Sequence, residues 1–345
     1  MSEPHTRPAQ LIPSAPLRPG DTIGICAPSM AHAARYPRRR ERALAHLREL
    51  GYQVRGSSNW LRDTGHTAGT AAERAADLHE LYVDPEVRVI MTSIGGHNAN
   101  QLLDLLDYDL IRAHPKPLVG YSDTSALLLA IWQRTRAGVV QGPQLLPQWG
   151  EYGGCHPDTL RSFRQTLGDE KPIGRMTFPT ERVIEFLPWD EADDRPRERL
   201  VADAPRVHVQ GRATGHLVAA NLETLLSLAG TPYWPDLDGA ILLLESTTTD
   251  LAPLTARLTQ LRQMGVLNRL AGLGLGRFAA PDFDRSDDLA ELIAQETAGF
   301  GGPLVTGLPI GHTDPMLCIP FGARATLAAV DTACEFTVLD SAVTA

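Results

Sequence analysis

The sequence predicts an α/β fold in two parts, the first built on a parallel sheet. Strand-like and helix-like patterns alternate from Asp21 to about Gly142, the arrangement that covers a parallel sheet on both faces. A second folded region starts near Val207, and the length of 345 residues suits two ordinary domains better than one very large one. The chain divides into an N-terminal domain (1–165), a linker and substrate-facing loop (166–205) and a C-terminal domain (206–345).

In order along the chain, Thr22-Ile23-Gly24-Ile25-Cys26-Ala27 reads as a buried strand. A helix over Tyr36 to Leu50 stops at Gly51, a suitable residue just past a helix end. Tyr52-Gln53-Val54 is a short strand, and Thr70-Ala71-Ala72-Glu73 has the spacing of a capping box opening a helix through Leu78, Leu81 and Tyr82. Val87 to Thr92 is the next strand, and Asn98 to Leu106 reads as a helix. Pro117-Leu118-Val119 then leads into Gly120-Tyr121-Ser122-Asp123-Thr124, after which Leu127, Leu128, Ile131 and Trp132 recur at helical spacing. Glu151 to Pro205, with its glycines, prolines and charged run, reads as a long surface excursion. Beyond it come a helix at Leu217 to Leu228, a strand at Ala240 to Leu244 and a helix at Leu251 to Met264. A strand near Leu273, a helix at Asp287 to Ala298 and a closing hairpin (Ala323 to Val330, Cys334 to Leu339) complete the pattern.

Composition narrows the function. A net charge of −9 argues against nonspecific binding to nucleic acid or acidic membranes, and the run Arg38-Arg39-Arg40-Glu41-Arg42 reads as the solvated face of a helix. The 43% hydrophobic content supports real cores, yet no run approaches eighteen apolar residues, so no membrane span is expected. Four scattered cysteines without a C-x-x-C pair fit a reducing compartment, and Met1 to Gly20 lacks an apolar signal core. Cytoplasmic residence is the expectation. The eleven histidines form no zinc-binding pattern, so no catalytic metal is expected. Gly272-Leu273-Gly274-Leu275-Gly276 lies within a strand pattern and lacks the lysine of a phosphate loop.

Three polar residues stand out because each follows an apolar strand. Ser122 lies between a short strand and a helix, where a nucleophile is lifted clear of a sheet and first-turn N–H groups lack internal partners. Glu245 ends Ile241-Leu242-Leu243-Leu244, and His312 sits in Gly311-His312-Thr313-Asp314-Pro315 after Leu304 to Ile310. Serine, histidine and carboxylate are the set that nucleophilic catalysis needs. Each also has a structural explanation: Ser122 as a helix cap, Glu245 as a partner for the following turn, His312 as a loop residue. G-x-S-x-G is absent, since Thr124 replaces the second glycine, which disfavours an ordinary α/β-hydrolase.

The residues resemble the serine peptidase family of LD-carboxypeptidase and the microcin C self-immunity peptidase. The likeness runs through Leu17-Arg18-Pro19-Gly20-Asp21, Ala27-Pro28-Ser29, Gly95-Gly96-His97-Asn98, Gly120-Tyr121-Ser122-Asp123-Thr124, Gly230-Thr231-Pro232, Leu243-Leu244-Glu245 and Gly311-His312. It implies Ser122 as nucleophile, Glu245 as orienting acid, His312 as base, and the N–H groups of Gly96 and Asp123 as oxyanion hole. It also implies an N-terminal domain resembling class I glutamine amidotransferases, a smaller C-terminal α/β domain, a homodimer and no cofactor. Asn98-Ala99-Asn100-Gln101-Leu102-Leu103, Asp107-Tyr108-Asp109-Leu110-Ile111 and the long excursion resemble the microcin-immunity branch. There, Trp189 matches a loop tryptophan that stacks on a nucleotide base, and Asn221 a substrate-binding asparagine. Three functions follow as expectations: a carboxypeptidase cleaving an amide in a small peptide or peptidyl- or aminoacyl-nucleotide, an LD-carboxypeptidase releasing terminal D-Ala from murein tetrapeptide, and a non-enzymatic small-ligand binding protein.

Overall fold

The computed structural model describes residues 12, 14–278 and 280–344; part of the segment read as lacking a signal core, residues 1–11, lies outside them. Strands β1 (Thr22–Cys26), β2 (Gln53–Gly56), β3 (Val87–Thr92), β4 (Leu118–Gly120) and β5 (Val139–Gln141) run parallel in the order β5-β4-β3-β1-β2. Helices α1 (His32–Arg35), α2 (Pro37–Glu49), α3 (Ala71–Val83), α4 (Tyr108–Ala113), α5 (Ser125–Thr135) and α6 (Pro157–Gly168) surround them. Both faces of this sheet are covered, which explains why its strands read as continuous apolar runs. Val89, Met91 and Val119 pack with Leu44 and Leu47 of α2 and Phe163 of α6. Ile90 and Leu118 pack with Leu78 and Leu81 of α3 and with α5.

The chain then forms β6 (Gly174–Arg175), the hairpin β7 (Glu181–Val183) and β8 (Arg199–Val201), and β9 (Arg206–Val209). A second sheet follows, built on β10 (Gly211–Asn221), β11 (Ala240–Glu245), β12 (Gly272–Gly276) and β13 (Leu304–Leu308), which are mutually parallel. Helices α7 (Leu222–Ser227), α8 (Leu251–Gln263), α9 (Pro281–Arg285) and α10 (Asp287–Glu296) belong to this half. Strand β14 (Ile319–Pro320) leaves it and pairs antiparallel with β5, completing the first sheet as its sixth strand. The hairpin β15 (Arg324–Val330) and β16 (Ala333–Val338) then flanks β10, giving an eight-stranded order β6-β16-β15-β10-β11-β12-β13-β9. One hydrophobic cluster runs through both sheets, with Leu127 to Trp132 of α5 packed among Leu217 to Ala220 of β10. No helix among the described residues is long and apolar enough to cross a membrane.

Four local expectations are corrected. Residues 217–228 are not one helix: Leu217 to Asn221 end a strand, and only Leu222–Ser227 are helical. Leu217 to Ala220 pair with β11 beyond the end of the β15 pairing and are fully buried, so they show no alternation and resemble a buried helix in sequence. Asn98 to Leu106 yields only a 3-10 turn at Ala99–Leu102. Within the excursion, Pro157 begins α6 at its first turn, where proline's missing N–H costs nothing, and the His156 ring caps it. In the basic run, Arg39 is buried, 2% exposed, rather than solvated.

The capping box at Thr70 and Glu73 is formed in both directions. Thr70→Ala removes its acceptor, and chemical denaturation should show a loss of about 1 kcal/mol with an unchanged m-value.

Candidate active site

Between β4 and α5 the chain makes a sharp turn in which Ser122 adopts φ 63°, a left-handed conformation uncommon for a residue with a Cβ. Such a backbone persists only when its surroundings over-determine it. Gln144, just beyond β5, does much of this. Its amide nitrogen donates to Thr92 Oγ1, Tyr121 O and Thr124 Oγ1, each at 3.0 Å, and its Oε1 accepts from the Gly95 N–H at 3.0 Å. The Asp123 carboxylate accepts from Ser29 Oγ at 2.6 Å and from the Ala99 N–H at 2.9 Å. Burial raises its pKa despite those bonds.

The Gly95-Gly96 loop crosses directly over this turn. A Cβ on Gly95 would lie 2.9 Å from Ser122 Cβ. Gly96, at φ +128°, has room for none because Met30 Cγ would be 2.3 Å away. The Gly96 N–H has no hydrogen-bond partner among the described residues. Asp123 lies in the first turn after the elbow, where N–H groups lack intrahelical acceptors.

Glu245 ends β11 with its side chain buried, and His312 follows β13 in a loop. His312 Nδ1 donates to Glu245 Oε2 at 2.6 Å, and the His312 backbone N–H reaches the same oxygen at 3.4 Å. Two glycines make room for the carboxylate: a Cβ on Gly276 would lie 2.9 Å from Glu245 Cβ, and one on Gly311 only 2.1 Å from its Cγ. Burial disfavours the imidazolium, but the charge and hydrogen bond of Glu245 outweigh it, so the His312 pKa is raised. With Nδ1 protonated toward Glu245, Nε2 is left as the basic nitrogen. Tyr121 approaches the ring edge-on, with centroids 5.0 Å apart.

Ser122, Gly96, His312 and Trp189 line one cavity of about 440 Å³. No hydrogen bond joins Ser122 to His312 in this structure. Trp189 enters from the β7–β8 excursion and is packed as well as cavity-lining. The Arg39 guanidinium lies 4.4 Å from its ring centroid, while Tyr36 and His32 meet the ring edge-on. Arg39 also binds Leu146 O, Pro147 O and the Asp193 carboxylate, and Asp190 accepts from the Arg38 and Arg39 N–H groups that open α2. Asn221 is not among the residues lining the cavity. Its Oδ1 caps α7 through Thr224 N and Oγ1, and its N–H donates to Ser125 Oγ.

Sequence reasoning missed Gln144, Gln148, Arg197 and Asp314. Arg197 pairs with Glu151 and Asp314, and Gln148 donates to Asp314 and to the Tyr121 hydroxyl. The available signal was Gln141-Gly142-Pro143-Gln144, polar residues directly after a buried strand. No group of three or more His, Cys, Asp or Glu among the described residues is placed to hold a metal ion.

Arg39→Met should strip the excursion of its most buried anchor, leaving Asp193 to the partly exposed Arg42 and Glu151 to Arg197. A loss of about 3 kcal/mol is expected, with faster amide exchange over residues 186–197. Unchanged exchange there would show that the loop is held by something else.

Residues 23–142 match the LD-carboxypeptidase N-terminal domain, and residues 214–327 the LD-carboxypeptidase C-terminal domain. The microcin C7 self-immunity protein of Escherichia coli is 31% identical, over 90% of this chain and 91% of its own. The probable murein peptide carboxypeptidase of Bacillus subtilis is 32% identical, over 95% and 94%. A structure of the microcin C7 self-immunity protein in complex with aspartyl sulfamoyl adenosine superposes with a TM-score of 0.88 at 28% identity, covering 96% of this chain and 100% of that one. The chain therefore belongs to the LD-carboxypeptidase family of serine peptidases.

Proposed function

We propose that the protein is a serine carboxypeptidase of the microcin-immunity type, hydrolysing an amide near the end of a small peptide or a peptidyl- or aminoacyl-nucleotide. The observation that carries this reading is the strained Ser122 elbow sharing a cavity with a histidine whose other nitrogen is held by a buried glutamate. His312 Nε2 takes the Ser122 Oγ proton as Oγ bonds to the substrate carbonyl carbon. The carbonyl oxygen gathers negative charge and accepts hydrogen bonds from the Gly96 and Asp123 N–H groups. His312 then returns the proton to the leaving nitrogen, the C–N bond breaks, and water releases the acyl-enzyme by the same steps in reverse order. Glu245 fixes the imidazole tautomer throughout and stabilises the imidazolium.

The nucleotide-bearing class is supported by the cavity's aromatic wall. Trp189 lies in it, and Phe186, 71% exposed, stands 6.3 Å from the Trp189 ring. A planar base requires such a surface, whereas a murein tetrapeptide does not. Release of D-Ala from murein tetrapeptide remains the second reading, because identity to the two named relatives is equal within one per cent.

Ser122→Ala should reduce hydrolysis of an aminoacyl sulfamoyl adenosine by orders of magnitude and abolish labelling by a phosphonate probe. Full activity in that variant would discard the serine mechanism. In the wild type, activity should rise with pH as His312 loses its proton, with a midpoint above the ordinary 6.5 because Glu245 holds the proton on. Glu245→Gln should lower turnover and move that midpoint downward, since burial is then opposed only by the charges of Glu223 and Asp314.

Trp189→Ala should weaken binding of nucleotide-bearing substrates by about 1–3 kcal/mol. Its effect on simple peptides should be small. Equal treatment of both classes, with mass spectrometry showing tripeptide from tetrapeptide, would put the murein reading first.

A further inference from the structure

Arg277 follows Gly276 at the carboxyl end of β12, between the strand ending in Glu245 and the strand leading to His312. Ligands in parallel sheets collect beyond those ends. The side chain is 2% exposed, Nη2 reaches only Pro179 O at 3.5 Å, and the buried Nη1 has no partner. Unpaired buried guanidinium edges are costly, and in native proteins each calls for a reason.

The surroundings do not supply the missing negative charge. Arg277 borders a cavity of about 260 Å³ with Arg182, Arg206, Arg285, Asp203 and Asp284. Both carboxylates are already engaged: Asp284 pairs with Arg182 and accepts from the Phe278 N–H, and Asp203 pairs with Arg285. Arg277 and Arg206 have no carboxylate partner among the described residues. The Nε of Arg182 is also buried without a partner. Burial, and then the neighbouring Arg182, lower the Arg277 pKa to about 10 against the opposing pull of Asp284 and Asp203.

We propose that this cavity binds a compact dianionic oxyanion, inorganic phosphate or the phosphate of a monoester, on Arg277 and Arg206 with Arg182 as a side wall. Two unpaired guanidinium groups match a doubly charged phosphate in charge, and their planar N–H edges match its oxygens in geometry. Arg182 also lines the cavity that holds Ser122, so the two sites share one wall. The proposal stands whether or not Ser122 is a nucleophile.

The test is thermal unfolding and calorimetric titration of the full chain with sodium phosphate, against sodium chloride at matched ionic strength. Saturable stabilisation by phosphate alone is expected. Arg277→Met and Arg206→Ala should each weaken that binding at least tenfold. Arg206 is exposed on the edge strand β9, so its variant remains informative if Arg277→Met does not fold. Methyl phosphate separates the two sources: binding as tight as phosphate assigns the site to monoesters, and binding much weaker than phosphate assigns it to the free ion. No saturable effect, or an equal effect in wild type and both variants (an adventitious ion only), overturns the proposal.

Discussion

A carboxylate with no exposed surface is stable as an ion only where a partner is fixed beside it, and Glu245 imposes that requirement on everything near it. It sits at the end of a strand buried along its whole length, so the partner has to arrive from another element. His312 does so because β13 runs parallel and adjacent but one strand, β12, intervenes. Crossing that strand demands that its last residue have no side chain, which Gly276 satisfies, and that the chain before the histidine hug the carboxylate, which Gly311 satisfies. The imidazole is thus oriented by a packing constraint as much as by a hydrogen bond.

The opposite wall is governed by a second buried charge. Arg39 faces a different problem, since its guanidinium must find acceptors on several segments at once. It finds them in Leu146 and Pro147 from the first domain and in Asp193 from the excursion. Those bonds leave the flat face of the guanidinium against Trp189, where cation–π attraction adds to the fit. Residues far apart in sequence are drawn into one rigid corner of the cavity. Burying a charge to fix a loop is costly in stability, and specificity of placement is the attested return.

What was legible in the sequence follows from the range over which each signal acts. Ser122, Glu245 and His312 were visible because each is a polar residue placed directly after an apolar strand, a pattern of a few residues. The capping box at Thr70 is equally local. Leu217 to Ala220 look helical in sequence because burial on both faces erases the alternation that separates strand from helix. Pro157 falls among the prolines that give Glu151 to Pro205 the look of a loop, although proline is equally at home in a first helical turn. The burial of Arg39 had no local signature at all, since its partners lie more than 100 residues away. Asn221 stands beside Glu245 in register, and its side-chain oxygen caps α7, a role that its place after an apolar run does not announce.

Strand β14 gives the molecule a property that its two sheets would not have separately. Between β13 and β15, both in the second sheet, the chain crosses to pair with Val140 and Gln141 of the first and then returns. The loop bearing His312 is therefore pinned at one end to each sheet. Sliding of one half against the other must strain this strap before it can separate histidine from serine. The same stitch makes the halves inseparable as fragments: a chain cut after the first domain would leave the β5 edge bare, with unpaired amides open to other chains. Evolution of this architecture by shuffling its halves independently is correspondingly constrained, because the first half does not own all of its own sheet.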